Sequence, residues 1–305
     1  MSVQARIFAD GRLHLQEGPI DLIIEAWGDA GAKSAAYQRA AARFSGLLAG
    51  LVAELPALRQ PVGHRPAPVL KGPVARRMAA AVAPYQPLFI TPMAAVAGAV
   101  AEEVLAALVG PGIDRAYVNN GGDIALFLGP GESLTSAIAA RPGMGERLTV
   151  HADSPVRGIA TSGWRGRSFS LGIADAVTVL APTPAMADAA ATVIANAVDL
   201  PGHPMIGRRP ACAIKAESDL GQRRVTVAVG PLTDAERDSA LSAGLVAARA
   251  AADRGLIVAA ALFLQGEVRM MNAKLPGLVW AKAPVALSER PPMSEQILED
   301  ALARV

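Results

Sequence analysis

Three helix-start signals constrain this chain more than any other feature. Thr91-Pro92 and Thr183-Pro184 each place a threonine at an N-cap and a proline in the first turn, and Thr233 to Glu236 reads T-D-A-E, a capping box. An apolar, alanine-rich stretch follows each, the first reaching about Val109 and the third ending near Gly255. Between and around them the pattern is that of strands and tight turns. A-R-I-F-A-D-G-R-L-H-L-Q predicts a hairpin on Asp10-Gly11, and Asp114 to Leu128 predicts strand, Gly-Gly turn, strand. Further strands are expected at Leu148 to Val150, Gly158 to Thr161, Ala176 to Ala181 and Val225 to Val229. A last pair, Leu256 to Leu264 and Glu267 to Met271, surrounds Gln265-Gly266. Residues 32 to 55 predict one helix closed by Pro56. Six prolines between Arg59 and Pro92 (Pro61, Pro66, Pro68, Pro73, Pro84 and Pro87) predict a connector rather than a core helix. Hairpins interleaved with helices imply an α+β fold, a largely antiparallel sheet flanked by helices, in one unit over 1–305 with a possible subdivision near 56–92. No fixed-period repeat appears.

Composition excludes several classes. The chain is 52% hydrophobic and 18% charged, enough to bury a sizeable core. The mean hydropathy of +0.32 comes from alanine. Gly255 to Leu264 is too short to span a bilayer, and Met93 to Val109 is broken by Glu102 and Glu103, so no membrane segment is expected. The start M-S-V-Q-A-R-I-F lacks the apolar core of a signal peptide, which predicts a cytoplasmic protein. With 29 basic against 27 acidic residues and no block of like charge, no nucleic-acid partner is expected. One cysteine, Cys212, rules out an internal disulfide and a cysteine metal cluster. His14, His64, His151 and His203 show no metal-binding spacing and are read as structural. There is no nucleophile elbow, Walker loop or dinucleotide fingerprint.

Three segments carry chemistry. Y-V-N-N-G-G-D-I, residues 117 to 124, turns sharply and brings bare amides at Gly121 and Gly122 beside the carboxamides of Asn119 and Asn120 and the acid Asp123. It suits phosphate or carbonyl oxygen, or is simply a hairpin turn. G-I-A-T-S-G-W-R-G-R-S-F-S-L-G, residues 158 to 172, offers hydroxyls at Thr161, Ser162 and Ser168, the glycine Gly163, guanidinium groups at Arg165 and Arg167, and Trp164 for stacking. It reads as an anion cradle or as a solvated loop. A-D-A-A-A-T-V-I-A-N, residues 187 to 196, spaces Asp188, Thr192 and Asn196 four apart, one polar stripe on an apolar helix. Asp188 and Thr192 offer two oxygens a turn apart, suited to a hard cation such as Mg²⁺; the alternative is a helix whose polar groups are locally satisfied.

In this order and spacing the segments resemble the ApbE-like superfamily, best known for FAD:protein FMN transferases. The shared motifs are an Asn-x-Gly-Gly-Asp turn, a Thr-Ser-Gly segment, a Val-Thr-Val strand and Ala-Asp-Ala-x-Ala-Thr, here at Asn119 to Asp123, Thr161 to Gly163, Val177 to Val179 and Ala187 to Thr192. More narrowly, the chain is similar to a branch of uncharacterised ApbE-like proteins that lack the usual histidine motif. The resemblance implies Mg²⁺ on Asp188, Thr192 and a backbone carbonyl near Ala94 or Ala95. The metal would hold the pyrophosphate of FAD while an acceptor threonine displaces AMP. Where the transferases carry a His-Ile-Ile-Asp-Pro-like segment, this chain has S-F-S-L-G-I-A-D-A, keeping an acid at Asp175 and no histidine.

The expectation is therefore an oligomeric protein that binds FAD, FMN or another phosphate- or carboxylate-bearing small molecule. Thr161, Ser162 and Arg165 would take the phosphate. Two alternatives stand beside flavinyl transfer: an enzyme acting on a non-flavin metabolite with Asp123, Asp175 or Ser168 in acid-base or positioning roles, and a non-catalytic flavin-binding module.

Overall fold

The computed structural model describes residues 3–63, 69–138, 146–272 and 274–282; His64, Pro66 and Pro68 lie outside them. Strands β1 (Gln4–Ile7) and β2 (Leu13–Glu17) form the expected hairpin, with Gly11 at φ +82° and the Asp10 carboxylate accepting the Arg12 amide at 3.2 Å. Next comes β3 (Ile20–Gly28), a central strand that the sequence reading passed over. Ile20, Leu22, Ile24 and Ala26 point from it into the core.

The helix expected over 32 to 55 is three helices: α1 (Ala30–Phe44), α2 (Leu47–Ala53) and α3 (Leu55–Leu58). The break falls at Gly46, whose φ of +79° no helical residue adopts. The proline-rich connector is also corrected. It contains α4 (Pro73–Val82), a core helix burying Val74, Ala75, Met78, Ala81 and Val82. Pro73 sits in its first turn, where proline helps rather than breaks. Glu54 steadies its entry by accepting the amides of Lys71 and Gly72 at 2.6 and 2.8 Å.

Thr91 does not act as the expected side-chain cap. Its hydroxyl donates to Asp219 at 2.5 Å, and the chain enters α5 (Val96–Leu108) through a 3-10 turn, Pro92–Ala95. Then follow β4 (Ile113–Asn120), β5 (Asp123–Leu128), β6 (Ser133–Ile138), β7 (Glu146–His151), β8 (Gly158–Ser162), β9 (Ala176–Ala181) and α6 (Pro184–Ala197). The chain continues with β10 (Ile206–Pro210), β11 (Arg224–Val229), α7 (Asp234–Asp253), β12 (Ala259–Leu264), β13 (Glu267–Met271) and β14 (Leu278–Lys282). Two of the helix starts hold as read. Thr183 accepts the Met186 amide at 3.3 Å, and Thr233 and Glu236 close a reciprocal capping box.

The fold is α+β. Nine strands form one sheet in the order β1-β2-β3-β4-β5-β8-β9-β12-β13, every neighbour antiparallel. Helices α1, α5, α6 and α7 bury their apolar faces against one side, and α4 packs on α5 and α6. A three-stranded sheet, β14-β7-β6, covers part of the other, packing Leu134, Leu148, Val150 and Leu278 onto it. Because both faces are covered at the centre, β9 and β12 are buried along their whole length, so they read as continuous apolar runs rather than alternating ones. The helix layer places the start of α5 and the middle of α6 over the β4-β5 turn.

Candidate functional site

Alanine and glycine bring the site together. Gly98 on α5 lies so close to α6 that a Cβ there would stand 2.3 Å from the Pro184 carbonyl oxygen. This approach sets Asp188, one turn into α6, against the first turn of α5. The start of α5 has no capping side chain of its own. Asp188 supplies it from the neighbouring helix, its Oδ2 accepting the Gly98 amide at 3.0 Å. An anion at a helix N-terminus satisfies orphan amides and favours the helix dipole.

Asp123 reaches the same point from the sheet. Asn120 and Asp123 face each other across the β4-β5 turn, with Gly121 at φ +63° and Gly122 at +116°, the left-handed pair that a two-residue hairpin needs. Asn119 Oδ1 accepts the Gly122 amide at 2.8 Å and fixes the turn. Asn120 is buried and donates through Nδ2 to the Ala97 carbonyl at 3.1 Å, tying the turn to α5. The buried Asp123 accepts the Thr161 amide at 3.1 Å, and its carboxyl lies beside that of Asp188.

Two carboxyl groups in contact cannot both be charged without a compensating ion. Burial pushes Asp123 up to about 7, against the smaller opposing effects of the Thr161 amide and the Arg167 charge. Burial, and then the charge of Asp123, push Asp188 well above the ordinary carboxylate range. The pair therefore holds a proton or a cation at neutral pH. Among the described residues no three His, Cys, Asp or Glu side chains cluster as a metal site, so a cation here would draw on hydroxyl, carbonyl and water oxygens as well as the acids. Thr192, half-buried one turn beyond Asp188, has no hydrogen-bond partner for its hydroxyl among the described residues. Ala95, fully buried, ends the 3-10 turn before α5.

The stripe on α6 thus divides. Asn196 lies about 12 Å along the helix from Asp188 at 1.5 Å per residue. Its Oδ1 accepts the Leu171 amide at 2.8 Å and the Ser170 hydroxyl at 3.3 Å, fastening the segment before β9. That segment passes close enough that a Cβ at Gly172 would meet the Ala195 carbonyl at 2.1 Å.

The loop after β8 is pinned at its root. Gly163 has φ +154°, and a Cβ there would stand 2.6 Å from the Asp175 carbonyl. The Trp164 amide donates to the Ala174 carbonyl at 3.0 Å. Arg165 donates through Nε to Asp175 Oδ1 at 2.5 Å and lies over the Trp164 ring at 4.6 Å. The buried Asp175 also accepts the Gln265 amide at 2.6 Å. The Trp164 indole N–H is buried and has no partner among the described residues. Ser168 is exposed, and Ser162 is half-buried. Thr161 gives its amide to Asp123, while its hydroxyl bonds the Thr178 hydroxyl at 2.9 Å across the β8-β9 pair.

The structure therefore gathers Asn120, Asp123, Thr161 and Asp188 at one point, and sets Asp175, Arg165 and Trp164 in an adjoining group. Sequence reasoning missed Gly98 and Thr178. A glycine inside an alanine-rich helix was the available signal for the first, since it marks a close crossing. Of the histidines, His14 pairs with Asp21 at 2.9 Å and His203 with Glu236 at 2.8 Å. No described helix is long and apolar enough to cross a membrane.

A UPF0280 protein of Methanothrix thermoacetophila is 42% identical over 129 residues, covering 41% of this chain and 52% of the relative. UPF0280 proteins of Methanococcoides burtonii (38% identical; 37% of this chain, 48% of the relative) and Methanocella arvoryzae (32%; 51% and 63%) are similar too. The chain spans about half the length of the curated relatives it matches. The family model described as AbpE bacteria matches residues 5–270, from β1 into β13 and across both groups of site residues, and the chain belongs to that ApbE-related family.

Proposed function

We propose that the chain binds an anionic small molecule, a flavin nucleotide foremost, at the junction of the β4-β5 turn, the Gly163 to Ser168 loop and α6, with Mg²⁺ as partner and flavinyl transfer as the reaction. The observation that carries this reading is the Asp123–Asp188 contact. Two acids placed against each other beside the Gly121-Gly122 turn suit a divalent cation and the phosphate it would accompany. Asp188, Thr192 and the carbonyl of Ala95 would hold the metal, and Asp123 would complete its acidic side. Bound there, Mg²⁺ would neutralise phosphate charge, the main requirement of phosphoryl transfer.

The chain's own residues do the rest. Asn119 and Asn120 lock the turn, so that Gly121 and Gly122 present backbone rather than side chains to the ligand. Thr161 and Ser162 border it from β8. Trp164, with Arg165 over its ring, would border the ligand with aromatic surface. Incubation with FAD, Mg²⁺ and threonine-bearing acceptor proteins is expected to release AMP, and Asp188→Ala to abolish the release. A wild-type protein that binds neither FAD nor Mg²⁺ by calorimetry would refute the reading.

A second reading, an enzyme of the same scaffold acting on a non-flavin metabolite, is favoured by the missing histidine. In the segment where the transferases carry it, this chain keeps only the acid Asp175, engaged by Arg165 and the Gln265 amide. Thermal-shift screening separates the two: an organic acid or heterocycle would stabilise the protein where FAD does not.

A further inference from the structure

The two arginines of the loop have different surroundings. Arg165 is committed to Asp175 at 2.5 Å. Arg167 is exposed, and among the described residues it forms no hydrogen bond or ion pair. Its guanidinium nonetheless has a defined seat. A Cβ on Gly121 would fall 1.6 Å from Arg167 Nη2 and 2.8 Å from Cζ, so the group occupies the volume that any side chain at 121 would fill. A Cβ on Gly122 would meet nothing within 4 Å, so open space adjoins that seat. The charge of Arg167 is felt at Asp123, which sets the seat beside the acid pair.

We propose that Arg167, seated on the bare peptide of Gly121, is the residue that selects the ligand's anionic group, and that the Arg165–Asp175 pair is the latch that positions it. The inference rests on the ligand site proposed above, but not on the ligand being a flavin. A planar guanidinium with its donors free beside open space fits a phosphate or pyrophosphate oxygen pair, which it binds in a bidentate, charge-assisted manner. The latch accounts for the seat. Asp175 holds Arg165, Gly166 donates to the Gly163 carbonyl at 3.0 Å, and the loop so closed delivers the next residue over the glycine turn. Gly121 is then required twice, for its positive φ and for the guanidinium above it.

The probe is inorganic pyrophosphate with the full chain. Phenylglyoxal labelling of wild type, read by peptide mass spectrometry, is expected to slow at Arg167 when pyrophosphate is present and to continue unchanged at Arg209, an exposed arginine on β10. Calorimetry is expected to show pyrophosphate affinity falling about 10- to 100-fold in Arg167→Gln, less in Arg167→Lys, and not at all in Arg209→Gln. Gly121→Ala, which displaces the guanidinium, should lose affinity as Arg167→Gln does. Pyrophosphate that leaves Arg167 labelling unchanged overturns the proposal without need of any variant, as does wild-type affinity in Arg167→Gln. Protection of Arg167 by pyrophosphate in a protein that binds no FAD would uphold the anion seat and refute the flavin reading.

Discussion

Asp175, which leads into β9 of the sheet, and Asp188, on α6 in the helix layer, are acids with opposite surroundings. Asp175 has a guanidinium and a backbone amide, Arg165 and the Gln265 N–H, at 2.5 and 2.6 Å, so its charge is matched within the chain. Asp188 has the Gly98 amide and, against it, a second acid, so its charge is not. The contrast separates an acid that finishes a structure from one that awaits a partner. A buried carboxylate with its own cation is a fastening, whereas two carboxyls in contact hold a place for a proton or metal.

The comparison can be broken in order of expected effect. Gly98→Ala strikes the acid pair through the backbone. The added methyl meets the Pro184 carbonyl, pushes α5 from α6 and draws the Gly98 amide off Asp188, and should destabilise by about 3 kcal/mol in urea unfolding. Asp175→Ala removes the fastening. It strands a buried backbone amide and frees an arginine that is already partly exposed, so about 2 kcal/mol should be lost, with Mg²⁺ affinity little changed.

Asp123→Asn acts the other way. The folded Asp123 titrates at about 7, above its ordinary 3.8, so the folded state holds its proton more tightly than the unfolded one. Below about pH 4 both states are protonated and the fold has its full stability from this group. As pH rises toward 7 the unfolded chain ionises first and stability falls, levelling off above that. Asp188 shifts in the same direction and adds to the slope. Asp123→Asn should flatten the fall between pH 4 and 7 and leave the protein on the order of 1 kcal/mol more stable than wild type at pH 8. Unfolding midpoints across that range, without divalent cation, are the check; a variant with the wild-type slope would contradict the acid-pair account.

The smallest effect belongs to Asn196→Ala. Losing two hydrogen bonds to the 170–171 segment should cost about 1 kcal/mol and leave cation binding intact. A loss of cation affinity in that variant would return Asn196 to the ligand face.

What the sequence disclosed follows from locality. The Asp10-Gly11 turn, the Thr183 cap and the T-D-A-E box are decided within four residues, and each stands in the structure as read. β3 escaped because Ile23 and Trp27 give its half-exposed outer face an apolar character that blurs the alternation. α4 escaped because prolines argue against a helix interior, while the one that mattered, Pro73, stands at a helix start. In the site, the residue types were legible and their division of labour was not. The four-residue spacing of Asp188, Thr192 and Asn196 suggested a common face with a common task. Which member meets Asp123, and which ties down a loop, depends on the crossing of α5 and α6 and on the register of β4 with β5. Arg165 and Arg167 look alike in sequence, and only the position of Asp175 distinguishes them.

The most direct test of the central claim is a calorimetric titration of Mg²⁺ into the metal-free protein at pH 8, with Asp188→Ala and Asp175→Ala beside it. The account predicts saturable binding in wild type and Asp175→Ala, with affinity weakened about 100-fold or more in Asp188→Ala, a difference of about 2.7 kcal/mol or more. No binding in wild type, or equal binding in wild type and Asp188→Ala, would contradict it.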